Sequence, residues 1–150
     1  MDDYIHLTVA AITEHQNKFL MVEEFSKKLK HTVINQPAGH VEKNEKILDA
    51  VIRETLEETA YRVEPEAVVG IYQSFTDGNN ESTQYLRVCF ACSINEKTKL
   101  PLDDDIIRTI WLSADEILTL ENARSPMVKQ SLRDYLAGKR FSLDILTALR

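Results

Sequence analysis

Three carboxylates, Glu54, Glu57 and Glu58, carry the chemistry most readily read from this chain. They stand in the run Arg53-Glu54-Thr55-Leu56-Glu57-Glu58-Thr59. On a helix, positions i, i+3 and i+4 share one face. Carboxylates placed there repel one another, which destabilises the helix unless a cation binds between them. Their hard oxygens suit Mg²⁺ or Mn²⁺, and those ions suit phosphate chemistry. The competing reading is a solvated acidic helix face, the common fate of a charge run.

The elements that must position them can be read by period. A helix is expected over residues 45–59, where Leu48, Val51, Ile52, Thr55 and Leu56 form an apolar stripe. The glutamates lie beside that stripe, so one side can pack on a sheet while the carboxylates edge a cleft. Apolar, β-branched runs predict strands at 5–12, 18–23, 32–36, 68–75, 84–94 and 107–112. Residues 14–17 form the turn of the first hairpin, residues 27–31 a basic loop, and residues 76–82 a polar hairpin loop. Ser113 and Glu116 form a capping box for a short helix ending near Leu120. Ser125 and Pro126 open a last helix, which Gly138 ends. Neither repeat nor linker divides the chain. The expected architecture is α+β, an α/β/α sandwich around a mixed sheet, as a single domain over residues 1–150.

The composition narrows the function classes. A chain of 150 residues with 43% hydrophobic content can build one real core. A net charge of −6 argues against non-specific nucleic-acid binding, because the phosphate backbone would be repelled. An acidic protein that handles phosphates needs a metal or local basic residues. Cys89 and Cys92 are three apart in a predicted strand and so point to opposite faces. They read as buried free thiols, consistent with a cytoplasmic protein. No signal peptide or membrane span is legible.

Upstream of the helix stand Pro37-Ala38-Gly39-His40 and Glu45. From Gly39 there are five residues to Glu45, then seven to Arg53-Glu54, then two to Glu57-Glu58. This spacing resembles the signature of the Nudix hydrolases, G-x5-E-x7-R-E-U-x-E-E-x-G-U, with U a bulky apolar residue. Thr55 takes the first U position and can still face a core. Ala60 replaces the final glycine, so the helix is expected to end differently or run on. Asn35-Gln36-Pro37-Ala38-Gly39-His40 resembles NudJ-type Nudix phosphatases, as do the stretches from Ala114 to Leu118, Arg124 to Pro126 and Gly138 to Phe141. Those relatives often carry Trp where this chain has Ile34.

The resemblance implies a Mg²⁺-dependent hydrolase, with Mn²⁺ a possible substitute, acting on small phosphorylated substrates. It implies release of orthophosphate from nucleoside tri- and diphosphates, thiamine pyrophosphate and hydroxymethylpyrimidine pyrophosphate. The alternatives are a nucleotide-pool pyrophosphohydrolase releasing pyrophosphate and a catalytically silent nucleotide-binding module. Glu57 and Glu58 are the first-choice metal ligands, with Glu54 completing the set or acting as base. A backbone carbonyl at Ala38 or Gly39 adds a further oxygen, as the family suggests. Arg53 is expected to bridge Glu45 and also reach Glu58, fixing the ligand geometry; otherwise the pair is an exposed ion pair. Asp105, with Asp104 in reserve, is a candidate base or ligand, or part of a solvated turn. His40 is a phosphate contact or a loop hydrogen-bonder. Lys27, Lys28 and Lys30 clamp a diphosphate or merely keep the chain soluble. Phe75, Tyr72 and Tyr85 stack on a base or belong to the core. The protein is expected to be a monomer or small homo-oligomer.

Overall fold

The computed structural model describes residues 4–78 and 81–149. Seven strands and three helices follow along the chain: β1 (Ile5–His15), β2 (Lys18–Ser26), β3 (His31–Asn35), β4 (Ala38–His40), α1 (Ile47–Thr59), β5 (Tyr61–Gly78), β6 (Glu81–Lys97), β7 (Ile106–Leu112), α2 (Ala114–Leu118) and α3 (Pro126–Leu136). A short 3₁₀ turn spans Leu143–Ile145. No helix among these residues is long and apolar enough to cross a membrane.

The strands form one mixed sheet in the order β3-β2-β1-β6-β5, with β4 beside β1 and β7 beside β2. β1 and β6 run parallel, in register from Ile5 opposite Gln84 to Thr13 opposite Cys92. The β1–β2 hairpin turns on Gln16 and Asn17, at φ 52° and 64°. Two successive positive φ angles match the twist of the strands they join.

β1 is apolar without a break from Val9 to Ile12 because both of its faces are covered. Val9, Ala11, Val88, Phe90 and Cys92 pack with Ala50 and Val51 of α1. Ala10, Ile12, Cys89 and Ala91 pack on the other face with Ile117, Val128 and Leu132 of α2 and α3. The α/β/α sandwich is therefore as expected, and the two cysteines lie buried on opposite faces.

Boundaries differ where pairing overrides local pattern. β5 starts at Tyr61, directly after α1, although Glu64, Pro65 and Glu66 look unlike a strand. An edge strand tolerates proline, and β5 absorbs its irregularities by register shifts at Arg62/Val63, Pro65/Ala67 and Val68/Gly70. The expected loop over 76–82 is shorter, since Gly78 already pairs with Glu81; its tip, Asn79 and Asn80, lies outside the described residues. Residues 38–40, expected as loop, form β4 against β1. The capping box of α2 forms as expected, with Ser113 and Glu116 bonded reciprocally, but α2 stops at Leu118 rather than near Leu120. Ser125 caps α3 with Pro126 in its first turn, and Gly138 follows its end at φ 83°.

Candidate active site

α1 positions the carboxylates. It starts at Ile47 rather than Glu45, and its N-cap, Lys46, offers no side-chain hydrogen bond. Glu45 instead lies in the preceding loop and accepts from the Glu42 amide at 3.0 Å. Thr55, in an apolar position of the motif, is fully buried and turns its hydroxyl back to the Val51 carbonyl at 2.7 Å. That bond satisfies the hydroxyl and leaves its methyl for the core. The helix neither runs on nor ends differently: Ala60 takes the left-handed conformation of a glycine cap, at φ 64°, and donates to Leu56 at 2.9 Å. Thr98 holds it there with its amide and hydroxyl, both 2.8 Å from the Ala60 carbonyl.

Arg53 is the hub of the acidic face. Its Nε and Nη2 grip both oxygens of Glu45, at 2.7 and 3.0 Å. Its Nη1 reaches Glu54 at 2.9 Å and Glu57 at 3.1 Å. Nη2 also donates to the His40 carbonyl at 3.0 Å, tying the helix to the β4 loop. The bidentate bridge to Glu45 is the one the resemblance implied, whereas the expected reach to Glu58 is replaced by Glu54 and Glu57. The carboxylates around it raise the Arg53 pKa above its ordinary value, Glu45 most strongly.

Glu58 turns inward and accepts from the Ala38 amide at 2.8 Å. Burial is the main cause that pushes its carboxyl up to about 9, and the nearby Glu24, Glu54 and Asp103 charges add to it. Glu54 is also raised, first by burial, against the lowering effect of Arg53. Its carboxylate lies where a side chain at position 39 would begin, so even a methyl group there would overlap it. Gly39 is thus required by close approach of a carboxylate, and its backbone conformation is one that any residue can adopt.

Among the described residues, no three acidic or histidine side chains converge as they stand on a common point that could hold a metal ion. The reason is visible in the partners: Glu54 and Glu57 lean on Arg53, while Glu58 leans on Ala38. The donor set nonetheless fits a hard divalent cation. Three carboxylates share adjacent turns, and one guanidinium serves Glu45, Glu54 and Glu57 together. Burial and mutual repulsion leave Glu54 and Glu58 reluctant to ionise, which is the state that a bound cation relieves.

Beside this face opens a cavity of about 310 Å³, edged by Ala38, Gly39 and His40. Across it stand Lys28, Arg87 and Arg124, with Tyr85, Leu29 and Met127 supplying apolar wall. Of the three basic-loop lysines, only Lys28 lines this space; of the three candidate aromatics, only Tyr85 does. Tyr72 points to α3, donating to Asp134 at 2.7 Å, and Phe75 is exposed outside the cavity. His40 lines the opening and is bonded to His6 at 3.0 Å between ring nitrogens. Burial, then His6, lowers its pKa. Asp105 is exposed; the charge felt at Glu54 and Glu58 from this acidic run is that of Asp103, whose amide donates to the Glu57 carbonyl at 2.9 Å.

The sequence reading missed Arg87. It is 3% exposed and donates from Nη2 to Asn35 at 3.0 Å and Gln36 at 3.2 Å. Gln36 in turn donates to the Val128 carbonyl at 2.9 Å, so this pair links β3 and its following loop to α3. The available signal was a lone cation inside the apolar run from Leu86 to Ala91.

A family model described as NUDIX domain matches residues 5–132. The chain is 37% identical over 142 residues to proteins named Phosphatase NudJ from Escherichia coli and Shigella flexneri, covering 94% of this chain and 90% of theirs. Among solved structures, a NUDIX hydrolase from Nitrosomonas europaea superposes with a TM-score of 0.91 at 40% identity, covering 97% of this chain and 98% of that one. A MutT protein from Bacillus halodurans shares the fold, with a TM-score of 0.73 at 20% identity over 91% of this chain and 86% of that one.

Proposed function

The chain belongs to the Nudix hydrolase family, and from that premise we propose that it is a Mg²⁺-dependent phosphatase of small organic diphosphates and triphosphates. The substrates are nucleoside tri- and diphosphates and the thiamine-related pyrophosphates, hydroxymethylpyrimidine pyrophosphate and thiamine pyrophosphate. Orthophosphate is the product released. The observation that carries this reading is the pairing of an Arg53-organised carboxylate face with a cation-lined cavity, joined at Ala38 and Gly39. Likeness to proteins named phosphatase supports the choice of bond, which charge and geometry alone leave open.

Glu54, Glu57 and Glu58 would hold the metal, with a backbone carbonyl at Gly39 as a further oxygen. When bound, Mg²⁺ supplies charge neutralisation on the non-bridging oxygens and acidifies water. The chain does the rest. Arg53 and Glu45 set the helix carboxylates at fixed angles and tether them to the His40 carbonyl. Burial favours a proton on the Glu58 carboxyl in the metal-free chain. Glu54, or an acidic residue of the 103–105 run such as Asp105, accepts the proton of the attacking water. Lys28, Arg87 and Arg124 draw the phosphates in, while Tyr85 and Leu29 cover the organic group. Its two buried thiols suit the reducing cytoplasm.

A panel of these substrates, incubated with Mg²⁺ or Mn²⁺ in ¹⁸O-water, tests the reading. Label is expected in orthophosphate. Label in pyrophosphate, or a nucleoside monophosphate formed in one step, would replace it with a pyrophosphohydrolase.

A further inference from the structure

Among the described residues, Arg87 is a cation without an anion bonded to it. Its strand position, opposite Thr8 of β1 and Tyr72 of β5, carries it to the cavity floor. Both its hydrogen bonds leave from Nη2 and end on neutral amides. Its Nε is buried with no hydrogen-bond partner. Burial lowers its pKa, while Glu58 and Glu24 act on it only at a distance, since it forms no ion pair among the described residues. Glu24 is engaged by Arg124 at 2.9 Å. A buried guanidinium so placed is costly unless something anionic completes it. With Nη2 engaged, the donors left for an oxygen anion are Nε and Nη1, since each guanidinium N–H seeks an acceptor.

We propose that Arg87, with Arg124 at the cavity rim, forms a built-in phosphate subsite that works without metal. It takes one phosphate group of the substrate and, after cleavage, retains the orthophosphate product. This inference rests on the proposed phosphatase reading for its place in the reaction. It assigns the division of labour within the cavity: the α1 carboxylates handle the cation, and Arg87 handles the phosphate. Asn35 and Gln36 are its positioning residues, since their side-chain oxygens fix Nη2 and leave the other N–H groups without a protein acceptor among the described residues.

The probe is inorganic phosphate, added to chelator-treated protein against potassium chloride of equal ionic strength. Phosphate should raise the melting temperature of the wild type saturably and broaden its own ³¹P resonance. Arg87→Gln should abolish both effects, and Arg87→Lys should restore part of each. With Mg²⁺ and a working substrate, Arg87→Gln should raise KM and the inhibition constant of phosphate about tenfold or more, the scale of one lost charged hydrogen bond. The Mg²⁺ concentration for half-maximal activity should not move, which a merely structural lesion would not spare. If Arg87→Gln does not fold, Arg124→Gln, at a half-exposed rim position, must weaken phosphate protection. Protection that is absent in the wild type, or unchanged in the folded variants, overturns the subsite. Protection that depends on Arg87 in a protein that hydrolyses nothing would keep the subsite and remove the proposed function. Hydrolysis with KM and phosphate inhibition unmoved in Arg87→Gln would do the reverse.

Discussion

The carboxylate face of α1 and the cation-bearing side of the cavity beside it, an acidic and a basic wall, are built by opposite means. The acidic wall comes from one stretch of chain, Gly39 to Glu58, with Arg53 at its centre hydrogen-bonded to Glu45, Glu54, Glu57 and the His40 carbonyl of that same stretch. The basic wall is drawn from three distant places: Lys28 after β2, Arg87 inside β6, and Arg124 before α3. The acidic wall is crowded with like charge and held by one guanidinium. The basic wall spreads its charges apart and leaves the Arg87 Nε without a hydrogen-bond partner among the described residues. A compact local cluster suits a fixed partner such as a metal ion, and a dispersed wall suits a larger anion with several oxygens. Changes on the acidic wall should therefore strike turnover, and changes on the basic wall should strike binding.

The largest effect is expected at Glu57. Glu57→Gln should lower kcat by two decades or more, on the order of 3 kcal/mol of transition-state stabilisation, with the fold intact. Near-normal turnover with Mg²⁺ would break the assignment of the acidic wall to the metal.

Next comes the pH dependence set by Glu58. Its carboxyl stands at about 9 in the folded protein against an ordinary 4.5, so the native state binds more protons between those values. Stability without metal is then full below the ordinary value and declines as pH rises toward the folded one. Glu54 is shifted in the same direction. Urea unfolding in chelator at about pH 6 and about pH 9 should show this decline, and Glu58→Gln should flatten it. An equal slope in the variant would mean that the crowding is not located at Glu58.

Gly39→Ala sharpens the role of close approach. The added methyl must displace the Glu54 carboxylate. Overpacking of this kind costs about 1–3 kcal/mol, and part of it should be read as weaker Mg²⁺ activation. Unchanged Mg²⁺ dependence would show that Glu54 can move aside freely.

Ala60→Gly should stabilise the protein by up to about 1 kcal/mol, because glycine removes the penalty of the left-handed cap. A lower melting temperature in the variant would show that the alanine methyl's burial outweighs that penalty. The smallest effect belongs to the basic rim. Lys28→Gln should raise KM roughly threefold with kcat unmoved, as befits an exposed charge. A fall in kcat comparable to that of Glu57→Gln would erase the division between the walls.

Legibility in the sequence follows the same division. The carboxylate face and the opposed cysteines could be read because each depends on the period of one element, and the Glu45–Arg53 bridge because both residues fall on positions of the family signature. So could the capping residues Ser113 and Ser125, whose partners are two or three residues away. Misreadings arose where a distant neighbour decided. The polar start of β5 is a strand because β6 pairs with it. Residues 38–40 are a strand because β1 does. The Asp103 charge bears on Glu54 and Glu58, and its amide docks on the end of α1, a contact that no local pattern announces. That Gly39 must be small because Glu54 occupies the space beside it is likewise a contact between separate elements.

By itself, then, the sequence determined the helix that bears Glu54, Glu57 and Glu58, the arginine that orders them, and the sandwich of helices around a mixed sheet. The helix and the sandwich rest on helical and strand periodicity, which acts over a few residues at most, and the arginine on the likeness of its short stretch to the family signature. Only the tertiary structure decided what faces those carboxylates. The parallel pairing of β6 with β1 buries Arg87 beneath the cavity, and the loop before α3 brings Arg124 to its rim. No local pattern encodes that meeting, because it is fixed by which strands pair and in which register, a choice made by burial of the whole sheet.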